Sequence, residues 1–65
     1  MIHQSLKLTP QLVENIIRRF GGIQRSRLSS LSLLLSCTLG QLNRMITELK
    51  VSGKLMESEN IITAL

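Results

Sequence analysis

Residues 31–55 read Leu-Ser-Leu-Leu-Leu-Ser-Cys-Thr-Leu-Gly-Gln-Leu-Asn-Arg-Met-Ile-Thr-Glu-Leu-Lys-Val-Ser-Gly-Lys-Leu. Leu42, Met45, Ile46 and Leu49 recur at spacings of three and four, the stripe of a helix with one buried face. Thr38 stands where its hydroxyl can cap the first turn, and Gly53 supplies a stop. A helix is therefore predicted over Leu39 to Ser52. Upstream, Leu28, Leu31 and Leu35 form the stripe of a second helix over Arg27 to Leu35, with Ser26 as its expected cap. Ser32 lies at the edge of that stripe, where its small side chain lets another helix approach. Only Ser36 and Cys37 separate the second helix from the Thr38 cap. The turn is tight, and Cys37 is expected as its small buried plug.

The flanking sequence completes the pattern. Thr9 and Pro10 suit the N-cap and first position of a helix from Pro10 to Phe20. Leu12, Val13, Ile16, Ile17 and Phe20 form its apolar face, and Leu8 with Val13 matches a hydrophobic staple. Glu14 near the start and Arg18 and Arg19 near the end suit the helix dipole, and Gly21 terminates it. Gly22 to Arg25 reads as a brief extended stretch with Ile23 inward. Ile2, Leu6 and Leu8 are in phase for a short leading strand. Lys54 to Glu57 and Ile61 to Leu65 read as two short strands around Ser58-Glu59-Asn60. The expected fold class is mainly α with a small β-hairpin, as one domain over residues 1–65.

The segment from Leu31 to Leu55 resembles the helix-turn-helix and first wing strand of the winged helix-turn-helix superfamily. Leu31-Ser32 matches its apolar-then-small pair. Leu35-Ser36-Cys37-Thr38 is similar to its turn. Leu42, Ile46 and Leu49 match the inward positions of its recognition helix. Leu49 through Leu55 resembles its passage through a glycine into the wing. Small bacterial fimbrial-operon regulators are similar in size and in the Thr38 to Leu55 segment. Iron-transport accessory winged helices are a second small class, but they carry a wing cysteine cluster that this chain lacks. The resemblance implies a three-helix winged helix-turn-helix fold, with the helix-turn-helix over about 26–52 and the wing over about 54–65.

Composition narrows the function classes. The chain has 65 residues, 43% of them hydrophobic, and a formal net charge of +4. A basic excess on so small a body favours polyanionic partners. Phe20 is the only aromatic residue, so base stacking of the kind used by single-strand binders is not available. The single cysteine excludes an internal disulfide and a cysteine-based zinc site. His3 has no second ligand or nucleophile near it in sequence, and the acidic residues form no acid–base pair. No catalytic residue, metal ligand or cofactor is expected, and the chain reads as non-enzymatic. Met1 to Leu8 lacks the features of a signal peptide, and the run from Leu28 to Leu35 is too short to span a bilayer. A cytoplasmic, nucleoid-associated protein without a membrane partner is the expectation.

Within the resemblance, the partner is double-stranded DNA and the third helix enters its major groove. The candidate contacts on that helix are Gly40, Gln41, Asn43, Arg44, Thr47 and Lys50. Arg44 suits guanine and Asn43 adenine, because each can form paired hydrogen bonds with those base edges. Gly40 would allow close backbone approach. Arg25 and Arg27 flank the start of the second helix and are candidate phosphate contacts. Glu57 and Glu59 place acid on the wing tip, where phosphate-gripping wings are usually basic. The alternative is a winged-helix protein-interaction module or accessory subunit that does not bind DNA. Leu33 lies nearly opposite the Leu28-Leu31-Leu35 stripe and beside Leu34. That apolar pair is the candidate surface for a homodimer, unless the segment from Met1 to Leu8 covers it.

Overall fold

The computed structural model describes residues 8–65. The readings made for His3 and for a strand in Met1 to Leu8 lie outside the described residues, Leu8 apart. The element order is α1 (Pro10–Phe20), β1 (Ile23–Gln24), a 3₁₀ turn (Arg25–Arg27), α2 (Leu28–Leu34), α3 (Leu39–Val51), β2 (Leu55–Ser58) and β3 (Ile61–Ala64). The fold is mainly α with a small antiparallel sheet, in the layout of a winged helix.

All three helices end in the same way. The first left-handed residues beyond them are Gly21 (φ 74°), Ser36 (φ 55°) and Gly53 (φ 79°). The N–H groups of Gly22, Cys37 and Lys54 then reach back to the carbonyls of Ile17, Ser32 and Leu49. This Schellman pattern satisfies carbonyls that the helix leaves open and reverses the chain sharply. At the other ends, Thr9 Oγ1 accepts from Leu12 N at 3.1 Å. Thr38 Oγ1 accepts from Gln41 N at 3.1 Å while Gln41 Oε1 accepts from Thr38 N at 3.1 Å, a full capping box.

The expected cap at Ser26 is not formed. Ser26 lies inside the 3₁₀ turn, and among the described residues no side chain caps either that turn or α2. The tighter turn consumes the residues that an N-cap would need, so α2 starts at Leu28 rather than Arg27.

The sheet has three strands in the order β1-β3-β2. The expected hairpin is β2–β3, closed by Glu59 and Asn60 with φ of 54° and 64°. Two consecutive left-handed residues make the type I′ turn whose twist matches the strands. The brief extended stretch at Ile23–Gln24 becomes β1 by pairing with Ile62 and Ile61 of β3. The wing is thereby fastened to the helical body and is more than a free hairpin.

Val13 and Ile17 of α1, Leu28 and Leu31 of α2, and Leu42, Ile46 and Leu49 of α3 meet in one core. Ile23, Leu55 and Ile62 close it from the sheet. Ser32 is also buried and its hydroxyl donates to Ser29 O at 2.7 Å, so the small residue sits at the helix contact with its polar atom satisfied. Cys37 is partly buried against the core, as are Leu8, Ile16, Leu35 and Met45. Phe20 departs from the expectation. It is 64% exposed, at the rim of a shallow cleft lined also by Ile23, Leu31 and Leu34.

Candidate functional site

The outer face of α3 follows from its inner one. Residues about 100° apart around the axis put Gly40, Arg44, Thr47 and Val51 opposite the buried Leu42, Ile46 and Leu49. All four are exposed, and Arg44 makes no ion pair among the described residues. Among the described residues a Cβ added at Gly40 would meet only Thr38 Oγ1, at 4.0 Å, and the backbone there is ordinary helix. Nothing in the packing requires glycine at that position. Gln41 is also exposed, but its side-chain oxygen is engaged in the capping box.

Asn43 and Lys50 lie on the flank of α3 that turns toward the sheet, and both are half-buried. There they join a cluster that spans three elements. Glu57 of β2 receives Arg25 Nε on Oε2 at 2.6 Å and Arg25 Nη2 on Oε1 at 2.7 Å, a forked pair. Lys50 Nζ donates to the same Oε1 at 2.8 Å. Arg25 Nη1 in turn donates to Asn43 Oδ1 at 3.3 Å. The Arg25 guanidinium and then the Lys50 ammonium hold the Glu57 carboxyl down at about 2. The contact with Glu57 likewise holds the Arg25 proton more firmly than usual.

Glu57 is therefore not at the wing tip, where the sequence reading put it. Its strand neighbour two residues back is the buried Leu55, and strand alternation turns both toward the body. The period-two relation to Leu55 was the available signal. The tip is Glu59 and Asn60, both exposed.

The two arginines at the start of α2 do not act together. Arg25 points to β2 and α3, whereas Arg27 lines the cleft beside Phe20, Ile23, Ser30 and Leu34. Of the expected contacts, the structure groups Gly40, Arg44 and Thr47 on one exposed face and gathers Arg25, Asn43 and Lys50 around Glu57. Arg27 stands apart from both.

A second surface is apolar. Leu33 is 81% exposed and Leu34 78%, both on α2. Phe20 and Leu34 line the same shallow cleft. Among the described residues no group of three metal-ligating side chains is present, and no helix is long and apolar enough to cross a membrane. Comparison with protein-family models, with curated proteins and with solved structures returns no match for this chain.

Proposed function

We propose that the domain is a non-enzymatic, double-stranded-DNA-binding transcriptional regulator that sets the outer face of α3 in the major groove, acting in the cytoplasm at the nucleoid. The observation that carries this reading is the exposed row of Gly40, Arg44 and Thr47 on a helix whose opposite side is packed into the core. Arg44 offers a forked donor that matches the O6 and N7 acceptors of guanine, and Thr47 offers a hydroxyl and a methyl. Gly40 lacks a side chain where the fold tolerates one, which suits close approach to a surface outside the protein. The acidic Glu59 at the wing tip leaves phosphate contact to the helices.

A mobility-shift titration on duplex DNA at two salt concentrations tests the reading. Binding through phosphates must weaken steeply with salt. Arg44→Ala is expected to cost roughly 1–3 kcal/mol on a specific site while circular dichroism stays unchanged. Wild-type protein that binds no duplex, or Arg44→Ala that binds as tightly as wild type, overturns it.

A second reading, a protein-interaction module, is favoured by the exposed Leu33, Leu34 and Phe20. The two readings meet in a homodimer through Leu33 and Leu34, because helix-turn-helix domains commonly bind two half-sites as dimers.

A further inference from the structure

Glu57 takes no part in contact between α3 and the major groove, yet it holds two cations, Arg25 and Lys50, beside that helix. We propose that Arg25 and Lys50 form a binding site for a backbone phosphate of DNA, and that the Glu57 carboxylate occupies it in the free protein and weakens DNA binding. This inference rests on the DNA-binding reading and deepens it.

The geometry of the cluster is that of an anion site. Arg25 presents a fork, Nε at 2.6 Å and Nη2 at 2.7 Å, to the two oxygens of one anion. A phosphodiester offers the same paired oxygens, and arginine grips both groups in the same plane. Lys50 closes on Oε1 from another element at 2.8 Å. The side chains of Arg25 and Lys50 remain 41% and 34% exposed, while that of Glu57 is 17% exposed. The two cations are thus the more exposed members of the cluster, and the carboxylate is the most covered.

The cluster also borders the proposed reading face. Lys50 follows Thr47 by three residues, which places it about 60° away around α3 and one turn along it. Nothing else among the described residues neutralises Arg25 or Lys50. With Glu57 the cluster carries a net charge of one positive unit, and without it two.

Glu57→Gln is expected to bind duplex DNA on the order of tenfold more tightly at about 50 mM salt. Its salt dependence should steepen by about 0.9 in the log–log slope, as one more phosphate becomes neutralised. The same variant should melt at a lower temperature, because two cations lose their shared partner. Glu59→Gln makes the equal change in net charge at the wing tip, where no ion pair among the described residues is broken, and is expected to shift the slope by much less. Equal slopes for the two variants, or unchanged affinity of Glu57→Gln, overturn the phosphate site. Should Glu57→Gln fail to fold, Lys50→Gln decides: a weaker complex with a shallower slope supports the site, and an unchanged one overturns it. Wild type that binds no duplex at any salt overturns the DNA-binding reading itself.

Discussion

Gly40 and Glu57 show how single residues tie the candidate site to stability. Helical glycine is less favourable than alanine by roughly 1 kcal/mol, and the space at Gly40 is open. Gly40→Ala is therefore expected to raise the melting temperature. If the helix backbone lies against DNA, the same methyl must weaken the complex, and paired melting and mobility-shift measurements read both effects. Tighter binding by Gly40→Ala would remove glycine from the interface. Glu57 makes a prediction in pH. Its carboxyl titrates near 2 in the folded chain against an ordinary value of 4.5. A lowered folded pKa means stability that is fully present above the unfolded value and lost as pH falls through the folded one. The stability gap between wild type and Glu57→Gln should thus be constant near neutrality and close between about 4.5 and 2. Urea unfolding midpoints across that window measure it. A gap that does not change would mean that the ion cluster contributes nothing.

At the scale of elements, the turn joining α2 to α3 is the strained member of a matched set. Gly21 and Gly53 take the left-handed conformation after α1 and α3, while Ser36 takes it after α2. An L residue there brings Cβ toward the following carbonyl, at roughly 1–2 kcal/mol. Ser36→Gly is expected to stabilise the domain by up to about 1 kcal/mol, since part of the relief is returned as greater freedom in the unfolded chain. For a domain of this size that is a melting shift of roughly 4–8 °C. A lower melting temperature would show that the Ser36 side chain contributes to the turn. The capping box at Thr38 and Gln41 fixes the start of α3 immediately beyond that turn. The angle at which Arg44 is presented is consequently set by local backbone chemistry at both ends of the turn.

The whole molecule presents two different faces. One carries Arg44 and Thr47 beside the Arg25–Glu57–Lys50 cluster, and the other exposes Leu33, Leu34 and Phe20. A chain of 65 residues buries only a small core, and an exposed apolar patch on so small a body suggests a contact. Sedimentation is expected to show a dimer for wild type and a monomer for Leu33→Glu, because a carboxylate cannot be desolvated against a second leucine. Two monomers at high protein concentration would rule out that dimer and leave the patch to another partner.

Periodicity and capping chemistry are local, and they determined the helices. Thr9-Pro10, Gly21, Thr38 and Gly53 mark boundaries that the structure keeps to within a residue. The stripe of Leu42, Ile46 and Leu49 settled which side of α3 faces inward, and with it the exposure of Arg44 and Thr47. Tertiary pairing decided the rest. Where Ile23 lands depends on β1 pairing with β3, almost forty residues away in sequence. Whether Arg25 and Lys50 stand alone depends on Glu57, whose register opposite Ile62 turns it toward α3. Such charges come together through contacts 32 and 7 residues apart, between elements whose spacing no local pattern encodes. Composition supplied the number of cations, and only the fold could show which of them already had a partner.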